Sequence, residues 1–365
     1  MVNYNFDKII HRENTDSLKY DFRKNFLGKA LGYSFRSDKY YKSIIEWIET
    51  RHNWNIKKEW ISYSPGVVPG LTLAVTTFTE PGDQVIVQPP VYFPFFSSVE
   101  GPGRELVYNP LLLKNGRYYF DFDDLRNKIG KKTKMLILCS PHNPGGMVWK
   151  KEELLELAEI CLQNDILILS DEIHADLVFK PARHIPLASI SDKIARNVIT
   201  FMSPSKTFNM AALSTAYLVI PDPKLKKEYD RVTAYFHLHV GNVFGHTALE
   251  AAYRNGEEWL DQMLEYVQEN IRYVVEFFRI KLPQIKPVQP EGTYLIWIDF
   301  SQLGLEQKNL KKLMIHQANI GLNDGSTFGE GGKGFLRMNV ACPKAIVVEA
   351  MDRMYDAINK AGLLK

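Results

Sequence analysis

Three apolar runs constrain this chain more than any other feature: Met135–Cys139, Ile166–Leu169 and Val198–Met202. Each is short and apolar at successive positions, whereas a half-exposed strand would alternate. Strands of this kind are buried on both faces, as in a parallel sheet covered by helices. Between the first two runs lies a helical stretch with Leu154, Leu157, Ala158, Cys161 and Leu162 on one face. The pattern is a βαβ unit and predicts an α/β fold with a mostly parallel sheet between helical layers.

Each run gives way to a polar turn. The first ends in Ser140-Pro141-His142-Asn143-Pro144-Gly145-Gly146, the second in Ser170-Asp171-Glu172-Ile173-His174, and the third in Ser203-Pro204-Ser205-Lys206-Thr207-Phe208-Asn209. An earlier short strand, Gln84–Gln88, runs into Pro89-Pro90-Val91-Tyr92. Ligands of open parallel sheets lie outside the carboxyl ends of the strands, so Tyr92, Asn143, Asp171 and Lys206 should meet at one edge. Taken singly, each has a plain structural role: a packed tyrosine, an aspartate capping a helix, a solvated turn lysine. Their convergence favours a site in which a partly desolvated amine acts as a nucleophile. Ser64-Pro65-Gly66-Val67-Val68-Pro69-Gly70 adds a glycine turn opening the apolar stretch Leu71–Phe78, and a helix that begins there presents free N–H groups suited to phosphate.

A nucleophilic lysine, a strand-end carboxylate and a phosphate cradle together point to pyridoxal phosphate. The lysine forms a Schiff base with that cofactor, and the carboxylate keeps the pyridine nitrogen protonated, so that the ring accepts electrons. Lys206 and Asp171 suit these two roles.

Composition narrows the setting. The chain has 365 residues, 45% apolar and 24% charged, enough for a large core and two domains. Its formal charge is only +3, and the lysines are scattered, so nothing favours nucleic acid as a partner. Cys139, Cys161 and Cys342 are odd in number and widely spaced, which suits neither a disulfide framework nor a metal site. Met1–Arg12 is polar, and no stretch reaches the ~20 apolar residues of a membrane span, so a cytoplasmic protein is expected.

Helical spacing of Tyr40, Ile44, Ile45, Trp47 and Ile48 predicts an early amphipathic helix. Beyond the third strand, Ala211–Ile220 reads as another strand and Lys224–Ile280 as long helical patterns. Pro283, Pro287 and Pro290 mark a linker into the strand Thr293–Phe300, and Arg337 interrupts the later apolar strand Phe335–Val340. The expected division is an N-terminal segment at 1–32, a large cofactor-binding domain at 33–282 and a smaller α+β domain at 283–365.

In order and spacing, Asn143-Pro144-x-Gly146, Ser170-Asp171-Glu172-Ile173-His174 and Ser203-x-Ser205-Lys206-Thr207-Phe208-Asn209 resemble fold type I pyridoxal-phosphate enzymes of the class I/II aminotransferase group. Pro65-Gly66-Val67-Val68-Pro69, Pro90-Val91-Tyr92-x-Pro94-Phe95, Asp171-Glu172-Ile173-His174-x-Asp176-Leu177, Asn323-Asp324-Gly325-x-x-Phe328-Gly329 and Gly334-Phe335-x-Arg337-x-Asn339 are similar to its MalY/PatB branch of cystathionine or cysteine-sulfur β-lyases. The resemblance implies a three-layer aminotransferase-like large domain, a homodimer and α,β-elimination from a sulfur amino acid. Aminotransfer, or cofactor binding without turnover, are the alternatives. It further implies that Lys206 carries the cofactor, Asp171 pairs with the ring nitrogen, and Asn143 with His174 binds the ring's phenolic oxygen. Tyr92 would stack on the ring near the leaving group. Ser203, Ser205 and the amides around Val67 and Val68 would hold the phosphate, Tyr33 would reach it across the dimer, and Arg337 would grip the substrate carboxylate. One departure is internal. The family carries a stretch resembling Leu-Pro-x-Trp-Val-Ala-Asp-Met-Asp-Phe and a helix before its Gly-Tyr motif, whereas here Phe26–Leu31 runs straight into Gly32-Tyr33.

Overall fold

The computed structural model describes residues 35–364. The expected N-terminal segment and Tyr33 therefore lie outside the described residues. The strands, in chain order, are β1 (Ile61–Ser64), β2 (Gln84–Val87), β3 (Glu105–Tyr108), β4 (Leu112–Lys114), β5 (Arg117–Tyr119), β6 (Thr133–Cys139), β7 (Leu167–Asp171), β8 (Val198–Met202), β9 (Ala216–Val219), β10 (Lys286–Pro287), β11 (Leu295–Asp299), β12 (Asn323–Asp324) and β13 (Phe335–Asn339).

Seven strands form the central sheet in the order β1-β9-β8-β7-β6-β2-β3. The β3-β2-β6-β7-β8 part is parallel, and β9 is antiparallel to both its neighbours. The apolar runs behave as their composition requires. Successive residues of β6 and β7 point to opposite faces, so Ile137 and Leu169 join one core while Leu136 and Ile168 join another. Each core is closed by helices. Helix α1 (Asp38–His52) buries Tyr40, Ile44, Trp47 and Ile48, starts on Ser37, whose side chain accepts from the Tyr40 N–H, and stops at Asn53, left-handed at φ 51°. Helix α2 (Val67–Phe78) covers the other face with Leu71, Ala74 and Val75. It lies so close to the sheet that a Cβ at Gly70 would come within 2.8 Å of the Ser64 hydroxyl and 3.2 Å of the Phe201 ring.

One expectation is corrected. Ala211–Ile220 is not one strand: Ala211–Leu213 is a single 3-10 turn, Ser214 is left-handed at φ 44°, and only Ala216–Val219 extends. The left-handed residue re-aims the chain, so that β9 enters antiparallel. The pattern beyond Lys224 is broken into α3 (Pro223–Tyr235), α4 (Val243–Asn255) and α5 (Glu257–Lys281).

A second sheet, β10-β11-β13-β12, is wholly antiparallel. Its core joins Ile296, Ile298, Leu336 and Met338 to α6 (Lys344–Lys360) and to the later turns of α5, from Val267 to Phe278. Leu260, two turns earlier in α5, packs in the core of the large sheet. This helix is thus a shared spine between the two sheets. Among the described residues no helix is long and apolar enough to cross a membrane.

Candidate active site

The parallel strands deliver their polar ends to one edge, and a cavity of about 420 Å³ lies there. Tyr92, Asn143, Asp171, His174, Ser205, Lys206, Val67, Val68 and Arg337 all line it. Ser203 does not line it. Its hydroxyl donates to the Thr215 carbonyl at 2.7 Å and accepts from the Ser205 N–H at 3.0 Å, capping the short helical turn Pro204–Thr207 that carries Lys206.

Asp171 ends β7 and is buried. Its carboxylate accepts from the Ile173 N–H at 3.1 Å, but burial dominates and pushes the carboxyl up to about 7, only partly offset by that bond and by the Lys206 charge. Burial likewise pushes the Lys206 amine down, with Asp171 opposing the shift and Arg337 adding to it. His174 is pushed down to about 3 by burial and then by the Lys206 and Arg337 charges, so its ring is neutral near pH 7. Its Nδ1 is buried without a partner. The Tyr92 hydroxyl is raised, first by burial and then by Asp171. Phe95 packs edge-on to the Tyr92 ring at 5.9 Å between centroids.

Helix α2 starts at the cavity wall. It has no side-chain cap, and Pro69 supplies no N–H, so the first-turn donors are the amides of Val67 and Val68. Free donors at the positive end of a helix dipole suit an anion.

Arg337 crosses from the second sheet. One guanidinium nitrogen donates to the Asn143 side-chain oxygen at 2.7 Å and another to that of Asn323 at 2.8 Å, while the group lies over the Phe328 ring at 4.8 Å. Asn323 sits opposite Arg337 in the β12–β13 pairing. Binding Arg337 uses the Asn143 oxygen and leaves its NH2 as the donor.

Sequence reasoning missed a clamp behind the cavity. The buried Asp176 carboxylate accepts from the Trp47 indole N–H at 3.0 Å and the Thr207 hydroxyl at 2.7 Å, and pairs with His52 at 2.9 Å. These bonds tie α1, the loop after β7 and the Lys206 turn to one another. The Asp176 carboxyl is held low, because His52, Thr207 and Trp47 outweigh burial. Asp176 and Thr207 fall inside recognisable motifs, but nothing local marks Trp47 or His52, whose roles depend on partners more than a hundred positions away. Tyr294, which lines the cavity and meets the His174 ring at 6.1 Å, was missed for the same reason.

The geometry defines a lysine–carboxylate site at the edge of a parallel sheet, and comparison with known proteins gives it a family. Residues 28–354 match the family described as aminotransferase class I and II, and the chain belongs to that family. Within it, the chain falls in the MalY/PatB-type branch of fold type I enzymes. It is 41% identical to cystathionine beta-lyase PatB of Bacillus subtilis over 90% of this chain and 85% of that protein. Among solved structures it is similar to cystalysin from Treponema denticola, which contains a pyridoxal 5'-phosphate cofactor, at TM-score 0.92 and 37% identity over 96% of this chain and 88% of that one. It is also similar to the pyridoxal-phosphate-bound C-S lyase from Staphylococcus hominis, at TM-score 0.87 and 30% identity over 98% of both chains.

Proposed function

We propose that this protein is a pyridoxal-phosphate-dependent carbon–sulfur β-lyase acting on sulfur amino acids of the cystathionine or cystine type and releasing a thiol (from cystine, a persulfide), pyruvate and ammonia. The observation that carries the reading is the meeting of Lys206, Asp171 and a pre-held Arg337 around one cavity.

The residues fit the cofactor. Asp171 is a buried carboxyl whose charge is disfavoured until a cation arrives, and a protonated ring nitrogen is such a cation. His174 offers a buried, unpartnered ring nitrogen to the phenolic oxygen, alongside the Asn143 NH2. The uncapped start of α2 and Ser205 take the phosphate, and Tyr92 offers a flat aromatic wall. Bound there, pyridoxal phosphate supplies an electron sink for the pair left at the substrate's Cα.

Arg337 holds the substrate carboxylate, and its two asparagine partners fix the fork before substrate arrives. Lys206, once free, is a base whose affinity for protons is lowered by burial, so more of it is unprotonated near neutral pH. It takes the Cα proton. The Cβ–S bond then breaks with its electron pair on sulfur, and Lys206 or Tyr92 returns a proton to the leaving thiolate. Water hydrolyses the three-carbon remainder to pyruvate and ammonia. We also infer a cytoplasmic homodimer; light scattering of the purified protein tests the dimer.

Incubation of the protein with cystathionine, cystine and an amino acid/keto acid pair decides the reaction. Thiol with stoichiometric pyruvate is expected. Amino transfer without thiol makes the protein an aminotransferase, and a yellow protein that turns over none of these is a cofactor-binding protein only.

A further inference from the structure

The residue just before β11, Tyr294, follows a backbone kink that its neighbour does not favour. Thr293 is buried and lies at a left-handed φ of 66°, where a β-branched residue is strained. The segment is pinned to the edge of the large sheet. The Thr293 N–H donates to the Leu177 carbonyl, in the loop after β7, at 2.6 Å. The Glu291 and Gly292 N–H groups donate to the Gly146 carbonyl, in the turn after β6, at 2.9 and 3.0 Å. The Thr293 hydroxyl accepts from the Leu295 N–H at 3.2 Å and closes the kink. Strain of this kind persists only where the surroundings over-determine it, and it collects at ligand sites.

What the kink aims is the Tyr294 side chain. Leu295 and Trp297 stand opposite Asn339 and Arg337 in the β11–β13 pairing, so on a regular strand the residue before Leu295 would face away from them. Tyr294 instead lines the same cavity as Arg337, Asn143, Tyr92 and Lys206. Its ring stands edge-on to His174 at 6.1 Å, and it also borders a second, largely apolar cavity of about 640 Å³ beside Lys206. Burial raises the Tyr294 hydroxyl to about 12, with Arg337 opposing the shift and Tyr92 adding to it, so near neutral pH it keeps its proton and can donate.

Arg337 leaves such a donor a partner. Three of its N–H groups go to Asn143 and Asn323, which leaves one on each terminal nitrogen for the two oxygens of a carboxylate. Each of those oxygens can accept a further hydrogen bond. We propose that the Tyr294 hydroxyl donates to the substrate carboxylate held by Arg337, and that the Thr293 kink positions it to do so. Tyr294 is then a second residue that selects α-amino acids over simple amines, an inference that rests on the pyridoxal-phosphate reading of the site.

The test uses the holoprotein, its cofactor absorbance as the binding readout, and two ligands with no β-substituent to lose: L-alanine, and ethylamine, which is L-alanine without its carboxylate. Tyr294→Phe keeps the ring and deletes the donor. It is expected to leave the ligand-free spectrum unchanged, to raise the dissociation constant for L-alanine about 10-fold, and to leave that for ethylamine within about twofold of wild type. With S-methyl-L-cysteine it should raise KM and change kcat little, as loss of binding shared by ground and transition states does. Thr293→Gly takes the left-handed backbone without strain, so it frees the segment and is expected to weaken L-alanine binding in part, again without effect on ethylamine. Equal weakening of both ligands, or an altered ligand-free spectrum, overturns the proposal and puts the hydroxyl on the cofactor. A fall in kcat at unchanged KM overturns it too, and makes Tyr294 a group of the chemical step. Wild-type affinity for L-alanine in Tyr294→Phe overturns it outright, and the same result in Thr293→Gly overturns the part played by the kink. A wild-type holoprotein that binds L-alanine yet releases no pyruvate from S-methyl-L-cysteine, cystathionine or cystine overturns the lyase reading and leaves the role of Tyr294 standing.

Discussion

Asp171 shows how burial prepares a side chain for a ligand. Its carboxyl is pushed up to about 7 from the ordinary 3.8, so between those values the folded, cofactor-free protein holds a proton that the unfolded chain has released. A group whose folded pKa is raised in this way contributes stability that is complete at low pH and is lost as pH rises through the folded value. The buried His174 and His142 act in the opposite sense, since both are pushed down to about 3 and destabilise the fold as pH falls below the ordinary histidine range. A difference between variants separates the two trends. Relative to Asp171→Asn, cofactor-free wild type should lose thermal stability as pH is raised from about 5.5 to about 8, and cofactor should restore it. Parallel melting curves for the two proteins across that range would disprove the assignment. Lys206→Ala should abolish both the cofactor's lysine-linked absorbance band and turnover, read by spectrum and pyruvate assay. Both residues were legible because a strand end announces its polar turn in the chain itself.

The clamp around Asp176 sits one layer behind, and it shows why part of the site escapes a linear reading. The Trp47 and His52 side chains meet Asp176 only because α1 is laid against the loop after β7. Their spacing in the chain says helix and nothing more. The carboxylate they surround is buried, and removing one of its donors leaves charge without compensation. Thr207→Val keeps the shape of the side chain and deletes one donor, so it should destabilise the fold by about 1–3 kcal/mol in urea titration. It should also lower kcat more than it raises KM, because Thr207 adjoins Lys206. Thr207→Ser keeps the hydroxyl and should restore most of both. A valine variant with wild-type kcat would show the clamp to be separate from the lysine. Gly70 is the other element-level constraint. A methyl there meets the Ser64 hydroxyl and the Phe201 ring of the sheet, so Gly70→Ala should shift α2 outward and weaken cofactor retention, measured by dialysis and absorbance.

The site is completed only by the two sheets together. Asn143 follows β6 of the first sheet and Arg337 belongs to β13 of the second, yet the two are bonded at 2.7 Å. The large sheet was readable because its strands are apolar throughout, and Arg337 was noticed because it interrupts an apolar strand. Which sheet edge it would face was not readable, since that depends on α5 packing its first turns on one core and its later turns on the other. The departure from the family pattern before Gly32 could be read in the sequence, whereas the apolar cavity beside Lys206 could not: its wall is drawn from the Lys206 turn, α5 and the segment after β13. This division of labour makes a specific demand on Arg337. On the proposed reading the first sheet and its turns hold the cofactor-facing groups, so cofactor binding should not depend on the guanidinium, whereas substrate binding should. Arg337→Lys retains the charge but not the planar fork. It should leave the absorbance spectrum of the holoprotein essentially unchanged while lowering kcat/KM on the order of 100-fold, mostly through KM. Loss of the spectrum with the same substitution would mean instead that Arg337 holds Asn143 in place for the cofactor, and that the two sheets are coupled through the ring and not through the substrate.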